Sequence, residues 1–300
     1  MKRTLIFLLT NLAAVAMLTI VSALICAFLG VDLSKELGGG AWEGLFVFSF
    51  LFGMTGSIIS LLLSKTMVKV SMRCKTITEP SNDAERWLVS TVADLAAKAG
   101  VKTPEVAIYP GEANAFATGA FKNHALVAVS TRIMEQMSRE ELRAVLGHEM
   151  SHVANGDMVT MSLTQGVINT FVIFFSHIIA ALVANAGRGD NRRRGGSYGV
   201  YYIVVQLFQL LFGVLASLVI FWYSRKREFA ADEGSARLLG TPSSMIAALR
   251  RLDNLQPGVL PDSIKAFGIA GRKKTSLFAT HPSIDDRIEA LMNLPPSYVV

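Results

Sequence analysis

His148-Glu149-Met150-Ser151-His152 places two imidazoles four residues apart with a carboxylate directly after the first. On a helix this spacing sets both rings on one face, about one turn from each other, where both reach a single zinc ion. Glu149 then turns toward the open side of the metal, where it can take a proton from an attacking water. That chemistry needs a helix, and the flanking residues supply one. Ser138-Arg139-Glu140-Glu141 reads as a capping box, Leu142, Val145 and Leu146 as an apolar stripe, and Asn155-Gly156 as a stop. The plain alternative is an accidental match on a surface helix, and these local signals weigh against it.

Working upstream, residues 79–157 read as a soluble α+β segment. Pro80-Ser81-Asn82-Asp83 opens a helix carrying Trp87, Leu88, Leu95 and Ala96, which Gly100 closes. Short strands are expected at Glu105–Tyr109, Ala113–Thr118 and Ala125–Ser130, the last two joined by a turn around Phe121 to His124. Downstream, a helix runs past Tyr223 to Leu239 and ends at Gly240. Thr241-Pro242 opens another with Met245, Leu249 and Leu252, and Ser283 caps a last one with Ile284, Ile288 and Leu291.

The rest of the chain is apolar. It has 300 residues, 51% of them hydrophobic, and a net charge of +6. Thr4 to Leu29 and Leu45 to Leu63 are clear apolar runs, and Val159 to Ala184 and Val200 to Tyr223 are weaker ones. Each is long enough for the ~20 residues of a spanning helix. The first is longer than a secretory signal core, so an uncleaved anchor is expected. Lys2, Arg3, Lys65, Lys69, Arg73 and Lys75 place the N-terminus and the region after Leu63 in the cytoplasm. Arg188, Arg192, Arg193 and Arg194, between the two weaker runs, conflict with two full crossings there, and a re-entrant hairpin removes the conflict. His177 reads as a packing residue, and Cys26 and Cys74 as bystanders. Nothing suggests nucleic-acid binding, and the positive charge fits contact with a lipid bilayer. Four segments follow: a transmembrane hairpin (1–63), the first half of a catalytic domain (64–158), a hydrophobic hairpin (159–223) and the second half (224–300).

A catalytic zinc takes three protein ligands and a water. One common arrangement would need a glycine at position 155 and a histidine at 158, where this chain has Asn155 and Met158. The third ligand must therefore come from farther away. His124, His177 and His281 are the remaining histidines. In Glu228-Phe229-Ala230-Ala231-Asp232 two carboxylates share a helical face, so one could bind zinc while the other orients a ligand imidazole. A solvated face beside Arg225 and Arg227 explains the same spacing equally well.

Together with Asn114-Ala115-Phe116-Ala117-Thr118-Gly119 and Thr280-His281-Pro282-Ser283, these motifs occur in an order that resembles the HtpX family of bacterial membrane metalloproteases, relatives of the CAAX prenyl proteases. The resemblance covers essentially the whole chain. It implies an α-helical membrane anchor with an α+β, gluzincin-like protease domain, mostly helical with a small β-sheet. It also implies one catalytic zinc on His148, His152 and Glu228, with Glu149 as the base and His281 near the oxyanion. Asp232 and Arg287 would support the ligands, and Asn114 would lie on the strand that pairs with substrate. The expected substrates are damaged or misassembled membrane proteins or peptides, cleaved at the cytoplasmic face of the inner membrane. A narrow processing protease and a silent zinc-binding scaffold or sensor are the rival readings, and an intact Glu149 argues against the second.

Overall fold

The computed structural model of the chain describes residues 41–186, 196–255 and 281–295. Its elements are α1 (Ala41–Ser71), β1 (Lys75–Thr76), α2 (Asp83–Lys98), β2 (Glu105–Tyr109), β3 (Ala115–Thr118), a 3-10 turn (Lys122–His124), β4 (Leu126–Ser130), α3 (Thr131–Gln136), α4 (Arg139–Asn155), α5 (Asp157–Ala186), α6 (Gly196–Leu239), α7 (Ser243–Asn254) and α8 (Ile284–Met292). The expected helical architecture with one small sheet is present. The strand expected from Ala113 pairs continuously only from Ala115, and the one expected from Ala125 begins at Leu126.

The sheet has the order β1-β2-β4-β3, with β2 and β4 parallel and the outer pairs antiparallel. Its pleat sorts side chains cleanly by period two. Val106, Ala115, Ala117, Val127 and Val129 face Leu88 and Leu95 of α2, Leu142, Val145 and Met150 of α4, Leu249 of α7 and Leu291 of α8 in one core. Ala107, Tyr109, Phe116, Leu126 and Ala128 face the other way, against Val68, Met72 and Cys74. Burial on both faces explains why these strands read as apolar runs.

Local chemistry fixes the ends of α4. Ser138 accepts from the Glu141 N–H while the Glu141 side chain caps back, closing the capping box. Gly156 ends the helix at φ 69°, the left-handed conformation that favours glycine, and its N–H bonds His152 O and Val153 O.

The described residues form two compact units, one from those up to Ile58 with Leu163–Ser217, the other from Ile59–Ser162 with the residues from 218 on. In the first, His177 Nδ1 meets the Tyr201 hydroxyl at 2.6 Å and its ring stands against Phe48, as expected of a packing residue. Three helices, Trp42–Ser71, Asp157–Ala184 and Gly199–Leu239, are long and apolar enough to cross a membrane. They leave Phe52 63%, Ile203 70% and Leu210 69% exposed, the surface that a lipid solvent covers. The run Thr4 to Leu29, the triple glycine 38–40 and the four arginines between α5 and α6 lie outside the described residues. α6 continues without a break from its apolar stretch into the segment carrying Glu228 and Asp232.

In the second unit α4 and the end of α6 meet through small residues. The Ser235 hydroxyl donates to Ala144 O at 2.7 Å, and Gly147 and Gly234 lie against Ser235 and Ser151. This close approach brings His148 and Glu228 onto facing surfaces. A Cβ on Gly234 would collide with Ser151 Oγ and stand 2.8 Å from its Cβ. Gly234→Ala should therefore destabilise the protein by about 1–3 kcal/mol, as overpacking does. Thermal unfolding in detergent would show a lowered midpoint, and an unchanged one would contradict the close approach.

Candidate metal centre and active site

α4 presents His148 and His152 from one face, with ring centroids 4.7 Å apart and ring planes at 89°. Their Nε2 atoms lie 3.2 Å from each other. Glu228, from α6, places Oε2 at 3.5 Å from His148 Nε2 and Oε1 at 3.4 Å from His152 Nε2. All three residues are buried, and one ligand atom from each falls within 4.8 Å of the others. A small tetrahedral cation with nitrogen and oxygen ligands at about 2.0–2.1 Å sets those ligands roughly 3.3–3.4 Å apart, by the geometry of such ions. The donor set and its spacing therefore fit a metal ion. Two nitrogens turned toward each other beside a carboxylate are best reconciled by a shared cation.

The far side of each ring meets a carboxylate. His148 Nδ1 lies 2.8 Å from Asp232 Oδ1, and His152 Nδ1 lies 2.6 Å from Asp157 Oδ2. Arg287, itself 1% exposed, donates from Nε and Nη2 to the two oxygens of Asp232, both at 2.7 Å. Its Nη1 is 3.8 Å from Glu228 Oε2. Such a two-pronged fork holds a carboxylate in one orientation. His281, just before α8, stands with Nδ1 2.9 Å from Glu228 Oε2.

Burial alone would lower the proton affinity of both ring systems, and their partners reverse this. His148 is raised through Asp232 and Glu228, while Asp157 and Glu228 push His152 up to about 10. For Arg287 burial is again outweighed, chiefly by Asp232, and its affinity rises. Burial pushes the Glu149 carboxyl up, with the two histidines pulling the other way. The Ala117 N–H of β3 also favours its ionised form, without reaching hydrogen-bond geometry, and neither Glu149 oxygen has a hydrogen-bond partner among the described residues. Glu149 is thus a buried carboxyl next to the backbone of an edge strand.

Asn114 lies just before β3. Its backbone N–H donates to Ser130 Oγ, its side-chain oxygen accepts from the Ala115 N–H at 2.9 Å, and its backbone carbonyl accepts from the Tyr109 hydroxyl at 3.1 Å. These bonds fix the start of β3, the strand whose Ala117 lies next to Glu149. The structure brings together His148, Glu149, His152, Glu228, Asp232, His281 and Arg287, whereas His124 and His177 do not join the cluster. Asp157 was not singled out by the sequence reading. Its signal is an acid directly after the Asn-Gly stop of α4, at the mouth of an apolar run.

Comparison with known proteins agrees with this geometry. The model of Peptidase family M48 matches residues 82–294, from the start of α2 to just beyond α8. The Protease HtpX homolog of Janthinobacterium sp. (strain Marseille) is 49% identical over 296 residues, covering 98% of this chain and 100% of its own. That of Chlorobium phaeobacteroides (strain BS1) is 50% identical over 296 residues, covering 99% and 96%. The crystal structure of Ste24p from S. mikatae has the same fold, with a TM-score of 0.57 at 16% identity, over 95% of this chain and 66% of that one. A family match over most of the chain, near-full-length relatives that are proteases, and helices able to cross a bilayer lead to one conclusion: the chain belongs to peptidase family M48, as a membrane metalloprotease.

Proposed function

We propose that this chain is a zinc-dependent endopeptidase that hydrolyses damaged or misassembled membrane proteins on the cytoplasmic side of the bacterial inner membrane. The observation that carries the reading is the convergence of His148, His152 and Glu228 within 4.8 Å, with buried Glu149 beside them. The three converging residues would hold the metal, and nitrogen and carboxylate donors suit zinc. Once bound, zinc supplies a Lewis acid that acidifies water and polarises a carbonyl.

The remaining work falls to the chain itself. Glu149 takes the proton of the attacking water and later returns it to the leaving amine. His281 donates a hydrogen bond to the carbonyl oxygen as negative charge develops there. Asp232, gripped by Arg287, holds His148 with Nε2 turned to the ligand cluster. Among the described residues β3 is the outermost strand of its sheet, so its outer edge is where an extended substrate would add a strand, with Asn114 at one end. The basic residues Lys65, Lys69 and Arg73 near the end of α1 and Arg225, Lys226 and Arg227 on α6 support a cytoplasmic protease domain. Protease relatives over nearly the full chain support a proteolytic role, and the apolar helices support substrates taken at the membrane.

Glu149→Gln should leave zinc bound and abolish proteolysis, because the ligands survive and only the base is lost. Metal content and cleavage of a model membrane protein, measured on the same preparation, test this, and persistent cleavage would remove Glu149 from the mechanism. Glu228→Ala should strongly weaken zinc binding. Glu233→Ala, whose side chain pairs with Arg237 on the outer side of the same helix, should not. Equal loss in the two variants would show that the wrong carboxylate has been chosen. For orientation, single cysteines at the exposed positions Ser71 and Arg250, in a background lacking Cys26 and Cys74, should resist an impermeant thiol reagent in intact cells and react after lysis. Labelling of either in intact cells would overturn the cytoplasmic site.

A further inference from the structure

The two imidazoles at the proposed metal centre are held by matching devices, and the second device lies at the roots of two membrane-capable helices. His152 Nδ1 meets Asp157 Oδ2 at 2.6 Å, as His148 Nδ1 meets Asp232. Behind Asp157 stands Arg227, with Nη1 at 3.6 Å from the same oxygen, where Arg287 stands behind Asp232. Arg227 is only 6% exposed and Asp157 7%, so the pair is inside the protein and sheltered from salt and solvent. Asp157 is the first residue of α5, and the left-handed turn at Gly156 lets the chain fold back so that its carboxylate reaches a ring five residues earlier. Arg227 lies on α6 next to Glu228 and four residues beyond Tyr223, where the apolar run ends.

We infer that Asp157 and Arg227 are positioning residues for the metal. Asp157 fixes His152 in the tautomer whose Nε2 points at His148 and Glu228, and Arg227 holds Asp157 in place. The inference rests on the ligand set proposed above. A carboxylate accepting from the non-ligating nitrogen of a ligand histidine orients the ring and makes it a better donor. The two arms are unequal. Arg287 grips Asp232 with two short hydrogen bonds, whereas Arg227 meets Asp157 across 3.6 Å, and its Nε, Nη1 and Nη2 make no hydrogen bonds among the described residues. Asp157 is therefore less firmly braced than Asp232. The His152 arm is built from the first residue of α5 and a residue of α6.

Full-length protein in detergent tests this with two readouts that do not require activity: zinc affinity by competition with a chelating dye, and the d–d absorption of the cobalt(II)-substituted protein. Asp157→Asn, which keeps shape and size, should lower zinc affinity about 10–100-fold, the range for loss of such a partner, and alter the cobalt spectrum. Arg227→Gln should shift both in the same direction by less, which keeps the test open if the first variant folds poorly. Glu233→Ala is the control and should match wild type. Asp157→Asn or Arg227→Gln binding zinc as tightly as wild type with an unchanged cobalt spectrum would overturn the positioning role. A wild-type protein that takes up no zinc would overturn the ligand assignment, and the inference with it.

Discussion

Burying several charges in one place is the constraint on which the protease unit depends. Glu149, Glu228, Asp232 and Asp157 are all withdrawn from water, together with His148, His152, Arg287 and Arg227. Each isolated buried ion would cost several kcal/mol even after relaxation, so most of these groups are placed against an opposite charge. The pairing is also distributed. The carboxylates come from α4, the first turn of α5 and the end of α6, and the cations from α4, α6 and α8. A chain that satisfies the network must bring those four helices to one point, and in doing so it fixes much of the unit's architecture.

Small residues make that meeting possible. Gly147, Ser151, Gly234 and Ser235 let the backbones of α4 and α6 approach closely, and the Ser235 hydroxyl spans the gap to a backbone oxygen of α4. Larger side chains would push the two helices apart and carry Glu228 away from the imidazoles. The apolar core on the sheet face supplies the driving force, since α2, α4, α7 and α8 all bury their stripes against the same strands. The apolar run of α6 and the proposed third ligand belong to one uninterrupted helix.

What could be read from the amino acids divides along the same line between local and distant effects. The ends of α4 were legible because a capping box and an Asn-Gly stop act within a few residues. The apolar strands were legible because burial on both faces leaves near-continuous hydrophobic runs. β1 was not, because Lys75 and Thr76 carry no strand pattern and pair only through their distant partners Ile108 and Ala107. Spacing alone placed Glu228 and Asp232 on one face without saying which addresses a metal. The geometry separates them by which ring nitrogen each meets, Nε2 for Glu228 and Nδ1 for Asp232. Asp157 escaped notice because its importance comes from a turn in three dimensions, although it is only five residues from His152.

Glu149 shows why the cluster reads as a catalytic device rather than a structural clamp. Asp232 and Arg287 grip each other through two hydrogen bonds, whereas both oxygens of Glu149 lie buried without a hydrogen bond among the described residues. An unsatisfied buried acceptor typically costs about 1–3 kcal/mol, which is a large share of a protein's net stability. A scaffold that merely held a metal would gain from replacing this carboxylate by an apolar or amide side chain of similar shape. Keeping it means accepting a loss of stability at the position where a base would act on water next to an edge strand. A buried carboxylate of that kind suits the proposed proteolysis better than passive metal holding.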